Sequence, residues 1–460
     1  MSATRRLAQY ATETTYHELP EAVVTQAKHV VRDSLGCLLG GATLDAGRKV
    51  RELLMPMTAD GPSTVVGETR HVAPAFAGYI NAQLTNLLDF DDTMEAGSVG
   101  HPASTIIPSA LAIAEQIGAS GQQLLTAVVV AYDIYARVAL SAKPTFERSK
   151  QVRGMATWQV FGAVAAVAHL LNLSPEAAAR AFGLAALHAP IPFVGKIYEE
   201  RPMWALKNNF GWAAMGGVLG AMFADAGFDA NHDILEGETG FWAMAGSDRF
   251  DSSILTKGLG HRYTILDTSF KPYPSCRFTH STLDAVDKIV DRTDLRPEEV
   301  RSVRVRSASK IRVFADYQPQ SYVDAQFSLP YVVALVLLRE SPSLKWVTTE
   351  RWRDPAVLSL AERVHLEVDP DLEKDLARGY MRVQVEITLG DGHVEREAGF
   401  YPRGHPSNPL SAHELQQKFL GLAGSAIGDA EALYLSSLID RLDELPDVTE
   451  LTALLSLAAS

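Results

Sequence analysis

Three aspartates and a histidine crowd one stretch of the chain, Asn86-Leu87-Leu88-Asp89-Phe90-Asp91-Asp92-Thr93 followed by Gly100-His101-Pro102-Ala103. The carboxylates close an apolar helical run, and His101 precedes a proline suited to the first turn of the next helix. Asp89, Asp91 and Asp92 are too close to ionise independently unless solvent or cations offset their repulsion, and an imidazole beside them titrates near neutrality. General acid/base chemistry is built from such groups. The same residues also read as a solvated helix end with a histidine cap. A divalent cation is a third reading, but aspartate-rich metal sites on helices need a second acidic motif on a facing helix. Asp225 to Asp229 with Asp233 comes nearest, and Gly227 and turn residues interrupt it. No metal is therefore expected.

Two other segments supply cations. Lys207, in Ala205-Leu206-Lys207-Asn208-Asn209-Phe210-Gly211, begins a helix whose Gly211, Gly216, Gly217 and Gly220 make one face thin enough for another element to approach. Taken alone it reads as a surface lysine lying along the core. The stretch Phe270-Lys271-Pro272-Tyr273-Pro274-Ser275-Cys276-Arg277-Phe278-Thr279-His280 is denser. Its prolines hold an extended loop and aim Lys271, Tyr273, Arg277 and His280 at a junction between a helical part and an α+β part, where ligand clefts form. Arg277 suits bidentate contact with a carboxylate and Lys271 suits neutralisation of a second, as in a di- or tricarboxylate. The loop reads equally as a rigid linker with solvated charges. Cys276 has no His and Asp at a recognisable spacing and reads as a packed thiol. With no P-loop, no G-x-S-x-G and no G-x-G-x-x-G opening a βαβ unit, no cofactor is expected.

The elements that must position these groups follow from hydrophobic period. Val23, Val24, Ala27, Val30, Val31, Leu35 and Leu38 recur at helical steps up to Gly40-Gly41, and further helices are expected from Asp45 to about Met55, Pro74 to Leu88, Pro102 to Ile117, Gln122 to Ala142, Trp158 to Leu171, Pro175 through His188 and Trp204 to Phe223. No convincing strand precedes Gly258. The period then becomes two: Val303 and Val305 alternate with arginines, as do Val364, Leu366 and Val368 with His365 and Glu367, and Val383, Val385, Ile387 and Leu389 with polar residues, before Gly390-Asp391-Gly392 turns the chain back through Glu397. These are half-buried strands, the last two a hairpin. Helices are expected between them at Thr279 to Arg292 and Phe327 to Leu338, and again from Ser411 to the end. The fold class is mainly α: a large all-helical domain, residues 1–262 completed by 411–460, and a smaller α+β lid domain, residues 263–410.

Composition agrees with a globular chain. Its 460 residues are 47% hydrophobic and 21% charged, enough for a large core, and the net charge of -13 disfavours nucleic acid or an anionic membrane as partner. Two cysteines without metal-ligand spacing suit a reducing cytosol, Met1 to Tyr10 lacks an apolar signal core, and Leu124 to Leu140 is interrupted by Asp133 and Arg137, so a cytoplasmic location is expected.

In combination, Arg32-Asp33-Ser34-Leu35-Gly36, Asp89-Phe90-Asp91-Asp92-Thr93, Gly100-His101-Pro102, Lys207 with Gly211, the Lys271-Pro272-Tyr273-Pro274 loop, Phe327-Ser328-Leu329-Pro330-Tyr331 and Arg403-Gly404-His405-Pro406 resemble, in order and over nearly the whole chain, the MmgE/PrpD family. That family includes 2-methylcitrate dehydratases, cis-aconitate decarboxylases and iminodisuccinate epimerases, which share proton movement at a carbon next to a carboxylate. The resemblance implies the two-domain fold above, a cleft between the domains, a homodimer, and a site without metal or cofactor. Asp91, His101, Lys207, Lys271 and Tyr331 match positions that line the decarboxylase-type active site, which promotes Lys207 from surface lysine to site residue. His101 is expected to move the proton with Asp91 orienting it, and Lys207 and Tyr331 to share the chemistry. Lys271, Arg277, Asp92 and His280 are expected to hold the small anionic carboxylate substrate.

Two departures bear on the reaction. Val152-Arg153-Gly154-Met155-Ala156-Thr157-Trp158-Gln159 lacks the His-Pro-Thr element of many family members, and Cys276 stands where the decarboxylases carry a second histidine. Both point away from decarboxylation. The expected activity is that of a cofactor-independent hydro-lyase resembling 2-methylcitrate dehydratase, with an epimerase or decarboxylase of the same family as the alternative and a non-catalytic carboxylate-binding or scaffold protein as the alternative of another class.

Overall fold

The structure, a computed structural model, describes residues 1–94, 100–142, 144–194, 196, 203–377 and 381–456. The helix Glu21–Ala42 buries the residues whose period announced it, with Val23, Ala27, Val30, Val31, Leu35 and Leu38 all in the core. Around it stand Pro74–Asn86, Ala103–Ile117, Gly121–Ser141, Met155–Leu170, Pro175–Leu187 and Ala205–Asp225. Ala205–Asp225 packs closely on its neighbours because small residues let it: a Cβ at Gly217 would come within 2.4 Å of the Ala163 Cβ. After the α+β part the chain returns as Ala412–Ile427, which lies against Glu21–Ala42 and so closes the helical core.

The helix Gly121–Ser141 is long and apolar enough to span a bilayer, yet 94% of its apolar window is buried inside the protein. Its two charges explain why: Asp133 accepts from the backbone N–H of Thr264 at 2.6 Å, and Arg137 donates to the carbonyls of Lys257 and Arg262. They tie this helix to the segment that leads into the second domain.

A second hydrophobic cluster, mostly from Tyr273 to Ile387, forms the α+β part. Its four-stranded sheet has the spatial order Val364–Val368, Val300–Ser307, Val383–Leu389, Val394–Gly399, with the first pair parallel and the others antiparallel. Val303, Val305, Val383, Val385 and Ile387 face the helices His280–Thr293 and Leu329–Leu337. The fold is therefore mainly α with a small α+β unit.

Three details differ from expectation. An N-terminal helix, Ala3–Glu13, is capped by Ser2. The stretch expected as one helix from Phe327 is two, Tyr322–Phe327 and Leu329–Leu337, because Ser328 leaves the helical path to cap the second, with Pro330 in its first turn. Short strands do precede Gly258: Asp60–Ser63 bridges to Val72, Thr93–Met94 pairs with Thr268–Ser269, and Val152–Arg153 with Phe193–Val194. Two-residue ladders show no alternation, so the sequence could not announce them. The Thr93–Met94 ladder is the one that matters, since it fastens the aspartate segment to the residues just before Lys271. Gly404 supports the same junction: its φ is +83°, and a Cβ there would stand 1.7 Å from the Phe270 carbonyl oxygen. The glycine bridge between His101 and the aspartates, residues 95–99, lies outside the described residues.

Candidate active site

The helix Pro74–Asn86 ends in a turn at which Asp89 takes a φ of +50°. Left-handed backbone at a residue with a Cβ costs about 1–2 kcal/mol, and the turn is held by donors from elsewhere in the chain. Lys271 Nζ donates to the Asp89 carbonyl at 2.7 Å and to Asp89 Oδ1 at 2.8 Å. Lys207 Nζ lies 3.6 Å from the same Oδ1, and His101 Nε2 3.9 Å from it. Lys207, Lys271, His101, Asp89 and Asp91 are all buried. The lysine that reads alone as a surface residue is inside the protein.

These charges set one another. Burial pushes the Asp89 carboxyl up, but Lys207, then Lys271 and His101, more than reverse it and hold the group well below the usual carboxylate range. Asp91 is likewise lowered: burial raises it, and the charge and hydrogen bond of His101 pull it down. Burial pushes Lys207 below the usual lysine value against the pull of Asp89 and Asp91, which makes its proton easier to give.

His101 is oriented from three sides. Its Nδ1 is 3.1 Å from the Asp92 carbonyl and 3.3 Å from Asp91 Oδ2, both acceptors, so Nδ1 donates there and Nε2 is the nitrogen left to exchange a proton. Asp91 is itself fixed by Asn86 Nδ2, which donates to both carboxylate oxygens at 3.0 and 2.8 Å. Gln159 grips the His101 backbone, accepting from its N–H at 3.1 Å and donating to its carbonyl at 2.6 Å, while Phe210 presents an edge to the ring with centroids 5.6 Å apart. The arrangement is an oriented general base beside two ammonium groups, able to take a proton from a carbon whose carboxylate those ammoniums hold. By spacing alone Asp89, Asp91 and His101 would also suit a cation, their ligand atoms lying within 4.8 Å of one another. Asp89 already carries two ammoniums, and their positive charge opposes a divalent ion there.

Not every residue expected in the site joins this group. Both carboxylate oxygens of Asp92 are taken, one by the Tyr132 hydroxyl at 2.7 Å and one by the Ala103 N–H at 3.1 Å, so Asp92 caps the following helix and offers its backbone, not its side chain, to His101. Arg277 donates through Nη1 to His280 Nδ1 at 3.2 Å and to the Arg403 carbonyl at 2.8 Å. His280 Nε2 faces the Ser275 carbonyl at 3.1 Å and so donates to it. Both ring nitrogens of His280 are thus spent inside the loop, where the ring orients Arg277. Tyr331 sits in the core of the α+β part with its hydroxyl donated to the Trp346 carbonyl at 2.6 Å, and among the described residues it makes no contact with the lysines or His101. The Cys276 thiol is buried and raised by that burial and by Asp89. Conversely, Asp89 is the centre of the charge cluster although the family resemblance points to Asp91, and nothing in the spacing marks Gln159.

His280 gives the fold a pH dependence. Burial, then Arg277 and Lys271, push its pKa well below the ordinary value of about 6.5. Between those two values the unfolded chain binds a proton that the folded one does not, so stability is full above about pH 6.5 and falls on acidification at about 1.4 kcal/mol per pH unit. Urea unfolding between pH 7 and 5 checks this by difference: His280→Asn, which keeps an acceptor for Arg277, should remove a contribution of this sign and size from the wild-type slope.

The fold is mainly α, with an oriented His–Asp pair and two buried lysines set where a helical core meets an α+β unit. Residues 5–252 match the MmgE/PrpD N-terminal domain and residues 273–444 the MmgE/PrpD C-terminal domain. The chain belongs to the MmgE/PrpD family. It is similar to cis-aconitate decarboxylase of Homo sapiens, 25% identical over 95% of this chain and 91% of that protein. It is similar as well to cis-aconitate decarboxylase of Aspergillus terreus, 24% identical over 98% of this chain and 96% of that one.

Proposed function

We propose that this protein is a cofactor-independent lyase that moves a proton at a carbon next to a carboxylate in a small di- or tricarboxylate, most closely a hydro-lyase resembling 2-methylcitrate dehydratase. The observation that carries this reading is the orientation of His101, whose Nδ1 is spent on the Asp92 carbonyl and Asp91 so that Nε2 is left to exchange a proton near Asp89, on which Lys207 and Lys271 converge. In elimination, Nε2 takes the proton next to the carboxylate, the electron pair moves into the carboxylate as an enediolate, and the two ammoniums stabilise that charge in a buried setting. The pair then forms the alkene as the β-hydroxyl leaves, protonated to water. Lys207, with its lowered pKa and its place beside Asp89, is the donor we assign, since the Tyr331 hydroxyl is engaged with Trp346.

Decarboxylation is the second reading, favoured by the names of the relatives at 24–25% identity. There the same imidazole, as imidazolium, returns a proton to the carbon after carbon dioxide departs. Cys276, in place of the decarboxylases' second histidine, favours elimination.

Proton NMR in D2O with 2-methylcitrate, citrate, cis-aconitate and related hydroxy- and amino-dicarboxylates separates the branches. A new vinylic signal from a hydroxy acid is the expected result. A vinylic product from cis-aconitate with loss of carbon dioxide would replace dehydration by decarboxylation, and deuterium uptake without net change would replace it by epimerisation. No exchange with any of them would overturn the reading in favour of a binding protein.

A further inference from the structure

Lys418 belongs to the last part of the fold, the helix Ala412–Ile427, yet its amine ends inside the aspartate turn. Nζ donates to the Phe90 carbonyl at 2.6 Å and to Asp33 Oδ1 at 2.5 Å, and it lies 4.1 Å from the centroid of the Phe90 ring. Asp33 comes from Glu21–Ala42, and both side chains of the pair are buried. One ammonium therefore joins three segments distant in sequence, and Phe90, the residue it grips, stands between Asp89 and Asp91.

The turn has a consistent logic. The carbonyls of Asp89, Phe90 and Asp92 each accept from a side chain that arrives from elsewhere: Lys271, Lys418 and His101. A buried ion pair is a poor device for stability, because desolvation offsets most of its Coulombic gain and a hydrophobic pair of like size holds a core as well. Asp33 is not even fully satisfied, since its Oδ2 is buried with no hydrogen-bond partner. What the charged pair supplies, and leucine or methionine would not, is an aimed donor for the peptide that follows a left-handed residue. We infer that Lys418, held charged and in place by Asp33, is a positioning residue that fixes the Phe90 peptide and, through it, the Asp91 carboxylate that orients His101.

The kinetic part of this inference rests on the proton-transfer reading above, and the experiment separates the two. Asp33→Asn combined with Lys418→Met removes both charges together and leaves no lone buried ion. Lys418→Arg, which keeps the charge but moves the donor, serves as the second variant should the first not fold. The readouts are kcat and KM on the acid that the wild type turns over, and the imidazole nitrogen shifts of His101 in ligand-free, 15N-histidine-labelled protein, assigned with His101→Asn. The expected result is a kcat lower by about 10- to 100-fold with KM little changed, as for misplaced catalytic groups. The wild type is expected to show protonated Nδ1, and in the variant this signal should give way to a mixture of tautomers. A folded variant with wild-type kcat would overturn the inference, and so would a lower kcat with an unaltered imidazole, since the loss would then not run through His101. If the wild type turns over none of the acids, the proposed function falls. The tautomer alone then decides: a mixture in the variant supports the positioning role, and an unchanged imidazole overturns it.

Discussion

Replacing His101 by asparagine is expected to lower turnover by about 10²- to 10⁴-fold, the usual contribution of a positioned general base, while leaving the fold intact. The asparagine amide can still donate where Nδ1–H does, toward the Asp92 carbonyl and Asp91, so the turn keeps its contact. It places nothing where Nε2 stood, 3.9 Å from Asp89 Oδ1. Lys207 and Lys271 remain to hold Asp89, so the unfolding free energy should change by no more than about 1–2 kcal/mol, one hydrogen bond's worth. Deuterium exchange into substrate reads the catalytic part, and urea unfolding reads the other. Tyr331→Phe is the contrasting case: it removes a hydroxyl donated to the Trp346 carbonyl and should cost about 1 kcal/mol of stability with kcat kept. Were Tyr331→Phe to abolish turnover as His101→Asn does, the phenol would be the second proton carrier and Lys207 would lose that role.

That contrast shows where sequence reasoning reaches and where it stops. Helical period exposed the core helices to within a few residues, as at Glu21–Ala42 and Ala103–Ile117, because burial of one face dictates apolar spacing. Alternation exposed the four-stranded sheet for the same reason. The charged residues near the site carry no such period. Lys207 looks by spacing like any lysine at a helix start; the family resemblance marks it, and the fold shows that the thin glycine face brings that helix against its neighbours and buries the amine beside Asp89. Asp92 and His280 had the right chemistry and the right neighbourhood, yet Tyr132, the Ala103 N–H, Arg277 and the Ser275 carbonyl had already claimed their polar atoms. Lys418 lies 328 residues from the carbonyl it serves. A partnership made by closure of the C-terminal helices on the core leaves no trace in local spacing.

Lys271→Met should be the most destabilising single change in the site. Lys271 is fully buried and gives two hydrogen bonds to Asp89, one to its carbonyl and one to Oδ1. Its loss leaves the buried Asp89 charge to Lys207 alone, at 3.6 Å, and removing one member of a buried pair costs about 3–5 kcal/mol. The sign of the pH dependence follows from Asp89. In the wild type its folded pKa is depressed, so it contributes stability above the unfolded value of about 4 and loses it as pH falls below that. Without Lys271, burial, the largest influence on this group, meets less opposition and raises the folded value. A folded value above about 4 makes the carboxylate cost stability at pH 7, and burial carrying it past about 5 makes that cost shrink on acidification to pH 5, as acid protonates the group in the folded protein. The difference in unfolding free energy between wild type and variant should therefore be greatest at pH 7 and narrow toward pH 5. Asp89→Asn added to Lys271→Met should restore most of the stability at pH 7 and, on the proposed function, none of the turnover, because the ammonium proposed to meet the substrate carboxylate is still missing. A difference that is the same at both pH values, and that Asp89→Asn does not relieve, would mean that Lys207 alone keeps Asp89 ionised and that Lys271 is present for the substrate.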